Sequence, residues 1–336
     1  MIEPQADFSI AVVIPLFNKE RAIESAIASV LAQHRLPEEL VVVDDGSTDE
    51  SFENARQAMA KAPEAMRCSL LSQANAGVSA ARNRGVEEST TGYVAFLDAD
   101  DEWDPGCIAE LERLASACPS ATLLSVRLAK RTPEGTIIPE SSGLQDFFGL
   151  VPNPLEAYAK GYGILSSSSA AVRRDAWSRS GGFPVNARKG EDVFLWLGLI
   201  MNGSFAHSSA PLSFWRDHYS GFVRRNGVVP YHLAHFLGTA EGRRELASCA
   251  ALSNFIESNL VVQVASHILV GDRAVAETLC RFAATCSLRT RLKCAAALHM
   301  PQRLLVALSS WIRRARRRPR STQGRVRKPR SARQSS

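Results

Sequence analysis

Tyr93-Val94-Ala95-Phe96-Leu97-Asp98-Ala99-Asp100-Asp101-Glu102-Trp103-Asp104 changes character within one residue. The stretch Tyr93 to Leu97 is a short apolar run after Thr91-Gly92, the pattern of a strand buried on both faces. Carboxylates then crowd the positions that follow. A buried strand ending in acids places negative charge at its carboxyl end, where open parallel sheets bind ligands. Carboxylates packed this closely are usually tolerated because a cation sits among them, and oxygen ligands favour a hard divalent ion, Mg²⁺ or Mn²⁺. Such an ion would in turn favour a diphosphate. A lone Asp-x-Asp has a plainer account, an acidic loop capping a helix that starts near Pro105, so the rest of the chain decides.

Working outward, Ser9 to Ile14 is a second strand of the same kind, ended by Pro15. Ile23, Ala26, Ile27, Val30 and Leu31 then recur as one apolar stripe of a helix. Leu40 to Val43 predicts the next strand, followed at once by Asp44-Asp45-Gly46-Ser47-Thr48-Asp49. Phe52, Ala55 and Met59 continue as a helix that Ser47 or Asp49 could cap. A short strand over Ser69 to Leu71, a helix over Val78 to Glu88 and the acid-ended strand complete an alternation that predicts an α/β fold with a parallel sheet wound by helices. Each loop at a strand's carboxyl end is polar: Asp44 and Asp45 after the second strand, then Gln73-Ala74-Asn75-Ala76-Gly77 leading to Arg82 and Asn83. Gly77 lets backbone approach a ligand, and Arg82 offers a planar fork for phosphate or a base edge. Helix capping explains any one such loop. Three on one edge point to a nucleotide site.

Charge and cysteine content bound the rest. The net charge of +6 is strongly asymmetric: up to Glu277 there are 34 acidic and 24 basic residues, and from Thr278 onward 16 basic and no acidic ones. Seven scattered cysteines without a C-x-x-C pair suit reduced, mostly buried thiols in a cytoplasmic protein. Neither a signal peptide nor a spanning helix is expected.

At this point a resemblance enters. Val12-Val13-Ile14-Pro15-Leu16-Phe17-Asn18, Val41 to Asp49, Asn75 to Asn83 and Phe96 to Asp101 resemble, in order and spacing, the family 2 glycosyltransferases of GT-A type, and the likeness runs over about residues 9 to 225. It implies a GT-A, Rossmann-like nucleotide-binding sheet, an inverting mechanism and a nucleotide-sugar donor, most often a UDP-sugar. It also implies a divalent cation, Mn²⁺ or Mg²⁺. Residue by residue, backbone near Pro15 and the Asp45 side chain would contact the base. Arg82 would help hold the nucleotide, Asp98 would face the ribose, and Asp100 would bind the metal. Ala76 stands where a second Gly is frequent in that family.

The second half reads less clearly. Ala121 to Lys130 predicts a strand, the region to about Gly163 is variable, and Ser166 to Ser169 reads as a polar strand or turn. Glu191-Asp192 opens a buried helix carrying Phe194, Leu195 and Leu199, and carboxylates in a first turn suit the helix dipole. The resemblance instead implies Asp192 as the catalytic base, with Glu191 and Gly182 as acceptor-site or supporting residues. His218, in Pro211 to His218, would join the metal or diphosphate shell. The chain lacks the Gln-x-x-Arg-Trp pattern of processive synthases, which favours addition of a single sugar.

Three segments result: a GT-A catalytic domain over 1–225, a helical extension over 226–300 with three or four helices, and an amphipathic basic helix and polar tail over 301–336. In the last, Leu304, Leu305, Leu308, Trp311 and Ile312 form one stripe beside arginines, the pattern of an interfacial helix. An anionic membrane surface is the preferred partner for it, with nucleic acid disfavoured for want of an accompanying fold. The acceptor is expected to be a saccharide or lipid-linked acceptor of the cell envelope, and the location cytoplasmic or peripheral on the inner membrane face. Two rivals stand: a sugar nucleotidyltransferase, which would need a Gly-rich basic loop where Pro15-Leu16-Phe17-Asn18 stands, and a nucleotide-sugar-binding protein without transferase activity.

Overall fold

The computed structural model describes residues 8–132, 135–137, 144–160, 163–216, 227–301 and 303–304. His218 and the stripe and tail beyond Leu304 lie outside these. The chain alternates strand and helix as β1 (Ile10–Leu16), α1 (Ile23–Leu31), β2 (Glu39–Asp44), α2 (Ser51–Met59), β3 (Arg67–Ser72), α3 (Val78–Glu88) and β4 (Tyr93–Phe96). There follow β5 (Asp101–Trp103), α4 (Cys107–Ala117), β6 (Leu123–Thr132), β7 (Gly135–Ile137), β8 (Phe148–Leu150), α5 (Pro154–Lys160), β9 (Ala170–Arg173), α6 (Arg174–Ser180), α7 (Glu191–Met201) and β10 (Phe205–Arg216).

The strands form one sheet in the order β3-β2-β1-β4-β9-β6-β10-β5, with β7 on β6 and β8 on β10. Strands β3, β2, β1 and β4 run parallel, as their apolar runs predict. Beyond them, over strands for which the sequence sets no direction, the sheet is mixed. Ser168 Oγ accepts from Asp98 N at the carboxyl end of β4. Strand β9 therefore starts at that end and runs back along β4, pairing Ala171 with Ala95 and Arg173 with Tyr93.

Strand β1 continues through Pro15 instead of stopping at it. Val13 O accepts from Leu97 N, so odd-numbered positions of β1 face β4, which pairs only as far as Val13. Pro15 thus lies past the end of its neighbour, and its missing N–H costs no ladder bond. Both faces of the sheet are covered. Val12, Ile14 and Leu16 pack with α1, α2 and α4, while Val13, Val41 and Phe96 pack with α3, α6 and α7. At Gly85 a Cβ would stand 2.3 Å from Val13 Cγ1, so α3 lies hard against the sheet there. One turn earlier on the same helix face, Arg82 is carried in over the strand ends.

Five helices follow among the described residues: α8 (Tyr231–Gly238), α9 (Ala240–Ser248), α10 (Ala250–Leu269), α11 (Arg273–Phe282) and α12 (Leu288–His299). The periodicity predicts three or four. The extra break falls at Thr239, whose hydroxyl accepts from Gly242 N and starts α9 afresh. Asp272 caps α11 as expected, accepting from Val275 N. These helices share a core that includes Leu197 of α7. No helix among the described residues is long and apolar enough to cross a membrane.

Candidate active site

The loops after β1, β2, β3 and β4 converge on one edge, tied by side chains that read backbone. Asn18, held at φ 49°, accepts from Thr48 N at 2.8 Å and donates its own N–H to Ser47 Oγ at 3.0 Å. Ser47 is therefore not the cap of α2. Asp49 reaches the backbone N–H of Ser51 at 3.0 Å. Asp45 is buried, and its carboxylate accepts from Ala76 N, Gly77 N and Gln73 Nε2, each at 2.8 Å. It joins the second loop to the third. Gly46 is needed beside it, since φ is +76° and a Cβ would come within 3.0 Å of Asn75 N.

The acidic turn after β4 is built on Ser168. This residue lies in a buried one-turn 3₁₀ helix, Ser167–Ser169, as the polar turn expected there. Its hydroxyl donates to Asp101, and its carbonyl accepts from Trp103 Nε1 at 2.6 Å and from Ser213 Oγ at 2.7 Å. Asp101 is thereby turned inward. Burial, and then the neighbouring Asp98, push its carboxyl well above the usual range. Asp98 and Asp100 keep partly exposed side chains. Lys19 Nζ donates to Asp100 Oδ2 at 2.6 Å.

Arg82 ties this turn to the start of α7. Buried among the strand ends, it donates from Nη2 to Asp98 Oδ1 at 2.7 Å and from Nη1 to Glu191 Oε1 at 3.3 Å. Its guanidinium lies 5.0 Å from the centre of the Phe183 ring, a cation–π contact. Burial works against its charge, yet Asp98, Glu191 and Asp192 hold it above its ordinary pKa. Phe183 is placed by Asn83, whose side chain accepts from Phe183 N at 2.9 Å and donates to Phe183 O at 2.8 Å. Gly182 makes the approach possible, with φ +74° and a Cβ position only 2.9 Å from Asn83 Oδ1.

Glu191 and Asp192 open α7 behind Gly190, which adopts φ +75°. Asp192 Oδ1 accepts from the adjacent Val193 N at 2.8 Å. Burial raises the carboxyls of both Glu191 and Asp192, and Arg82 opposes the rise. The Tyr158 hydroxyl, pushed up by burial and by Asp192, lies in the same field.

The structure thus gathers Asp98, Arg82, Glu191 and Asp192 around one guanidinium, with Asp100 beside Asp98. Asp45 stands one loop away, and Pro15 is buried in β1. Sequence reasoning missed Lys19, Ser168 and the Asn83–Phe183 clasp. The signal for Lys19 was its place directly after the first matched segment. Ser168 had none, because its partners are more than 40 positions away.

As to a metal, no group of three or more His, Cys, Asp or Glu among the described residues is placed to hold one. Asp100 offers a single carboxylate, and its Oδ2 is occupied by Lys19 Nζ at 2.6 Å, so a divalent ion there would have to displace that ammonium and take its remaining ligands from water and substrate phosphates.

The chain is similar to known proteins in sequence and in fold. Residues 11–176 match the profile of Glycosyl transferase family 2. Over 106 residues the chain is 42% identical to the uncharacterized glycosyltransferase YibD of Escherichia coli (strain K12), covering 32% of this chain and 30% of that one. Over 120 residues it is 33% identical to the dodecaprenyl-phosphate galacturonate synthase of Rhizobium johnstonii, covering 33% of this chain and 35% of the other. The chain thus spans about a third of the length of these relatives. The crystal structure of S. aureus TarS 1-349 in complex with UDP-GlcNAc superposes with a TM-score of 0.67 at 15% identity, over 92% of both chains, which shows a shared fold.

Proposed function

We propose, from the premise that this chain belongs to glycosyl transferase family 2 through residues 11–176, that it moves a single sugar from a nucleotide-diphosphate sugar to an acceptor hydroxyl with inversion. One observation carries the reading: Arg82 bridges Asp98, on the nucleotide-side edge, to Glu191, the neighbour of Asp192. A donor held by the strand-end loops would then present its anomeric carbon near a carboxylate on a different element. Asp192 takes the proton from the acceptor hydroxyl as that oxygen attacks from the face opposite the leaving diphosphate. Its raised pKa suits a base better than an ordinary surface carboxylate would. Asp45 and the backbone at Pro15 are assigned to the base, and Asp98 to the ribose. A Mg²⁺ or Mn²⁺ held at Asp100, with His218 as a further ligand, would offset charge on the leaving diphosphate. Lys19, now on Asp100, is within reach to contribute there too.

The donor class is a UDP-sugar, supported by the fold shared with a protein crystallised with UDP-GlcNAc. A lipid-linked or other envelope saccharide is the acceptor class, supported by the relative named for dodecaprenyl-phosphate. The basic C-terminal segment is assigned to the anionic cytoplasmic leaflet. In support, the outward face of α12 exposes Leu288 and Leu292 at 67% and 62%, flanked by Arg289, Arg291 and Lys293 and opposite the buried Thr290, Cys294 and Ala297.

The test is UDP release from a panel of UDP-sugars, with Mn²⁺ and with excess chelator. Release that needs the metal and is lost in Asp100→Asn is expected. Full activity under chelation would remove the metal assignment, and no release from any sugar nucleotide with any saccharide acceptor would remove the transferase reading.

A further inference from the structure

We infer that the helical extension is a positioning device for the catalytic base, acting through His232 on Gly190. This rests on the assignment of Asp192 as base and extends it to residues outside the matched segment.

Asp192 is two residues from Gly190, and Gly190 is gripped from outside the α/β unit. Gly190 sits at φ +75° with the His232 ring against it: a Cβ there would stand 2.4 Å from Nδ1 and 3.0 Å from the adjacent ring carbon. His232 is itself buried, and its Nε2 lies 3.0 Å from Asn259 Oδ1 on α10. The other ring nitrogen, Nδ1, faces the Gly190 backbone, which partly offsets the fall in pKa that burial causes. Here the ring acts as a wedge, and its shape allows only glycine at 190.

A second hold lies one residue earlier. Tyr231 N donates to Lys189 O at 2.7 Å. Lys189 Nζ lies 3.1 Å from His267 Nε2, and His267 Nδ1 lies 3.0 Å from Asp272 Oδ2, the residue that caps α11. A third hold is apolar. Phe194, in the first turn of α7, packs edge-on against Tyr231 and His235 of α8 at centroid distances of 5.1 and 4.9 Å. Tyr158, in the field of Asp192, stacks on Phe255 of α10 at 5.2 Å. The loop before α7, its first turn and the neighbour of Asp192 are therefore all set by α8 and α10. Displacement of a reacting group by about 1 Å costs up to roughly 100-fold in rate, so loosening this frame acts on the chemical step.

The experiment compares full-length wild type with His232→Ala, His232→Gln, Gly190→Ala, Gly190→Ala/His232→Ala and Asp192→Asn. It measures Kd for UDP with Mn²⁺ by calorimetry and kcat with whichever UDP-sugar of a panel turns over fastest. Folding is checked by circular dichroism. The expected result is a kcat lowered about 10- to 100-fold in His232→Ala and in Gly190→Ala, with the Kd for UDP within about twofold of wild type. In the double variant the two losses should be less than additive, because the wedge acts through one contact. His232→Gln, which keeps bulk and an amide toward Asn259, should recover part of the rate. A folded His232→Ala or Gly190→Ala with full kcat, while Asp192→Asn is inactive, overturns the inference and leaves the base intact. Equal loss of UDP affinity and kcat also overturns it. Full turnover in Asp192→Asn instead defeats the base assignment itself.

Discussion

Lys19 Nζ sits 2.6 Å from Asp100 Oδ2, so the carboxylate assigned to the metal is already countered by a cation from the loop after β1. The two charges compete for one oxygen. Lys19→Gln should therefore lower the half-saturating Mn²⁺ concentration for UDP binding by at least about threefold, an effect equivalent to a weak, partly screened ion pair. At saturating metal the same variant should bind UDP less tightly, having lost a cation near the diphosphate. Calorimetric titrations at several Mn²⁺ concentrations check both, and an unchanged metal dependence would detach Lys19 from the site.

Asp192→Asn keeps the shape of the side chain and removes its basicity. Turnover should fall by about two to four orders of magnitude while UDP affinity holds. As the proposed base, Asp192 would work only when ionised; burial raises its pKa, with Arg82 pulling it back. Turnover should accordingly fall away on the acid side at a pH above the ordinary Asp value of about 3.9. A kcat profile flat down to pH 4 would contradict this.

Asp101 makes a prediction about stability instead of rate. Its folded pKa is raised, chiefly by burial and then by Asp98, so the folded state holds a proton that the unfolded chain releases at lower pH. Stability from this group is present below the unfolded pKa and is lost as pH rises toward the folded one. Asp101→Asn, which cannot ionise, should raise Tm at pH 7 and leave it near wild type at pH 3. Thermal melts at the two values decide, and a lower Tm at pH 7 would mean that the ionised form is the one the fold needs.

Gly182→Ala places a methyl 2.9 Å from Asn83 Oδ1 on a backbone at φ +74°. The strain should cost on the order of 1–3 kcal/mol. Because Asn83 holds Phe183 under Arg82, UDP-sugar turnover should drop as well. Urea unfolding measures the first effect. A variant as stable as wild type would show that the 181–183 turn relaxes freely.

Most of the parallel half of the fold was legible because β1, β2 and β4, buried on both faces, write themselves as apolar runs between polar loops, and Val78–Glu88 emerged with its observed bounds, whereas the edge strand β3 is largely exposed. Strand direction beyond β4 was not. Ala170–Arg173 looks the same read parallel or antiparallel, and only the bond from Asp98 N to Ser168 Oγ sets where it begins. The same limit applies at the site. Asp45 and Asp98 stood out as polar residues at predicted strand ends, and Arg82 in the helix that the third loop leads into. That Asp101 turns inward while Asp98 and Asp100 stay partly exposed depends on Ser168, some 67 positions away, which local pattern does not register. The extension gave up its periodicity but not its contacts, since His232 and His267 read only as single histidines until Gly190 and Lys189 stand against them.

The clasp between Asn83 and Phe183 uses only the backbone N–H and C=O of residue 183. It joins the nucleotide-side half of the molecule to the half that carries Asp192 without reading a side chain, as a dovetail joins two boards of any grain. The family match ends at residue 176, just before this joint. The clasp itself tolerates another side chain at 183, whereas Gly182 is fixed by its φ of +74° and its closeness to Asn83, so the joint is written at 83 and 182 and not at 183.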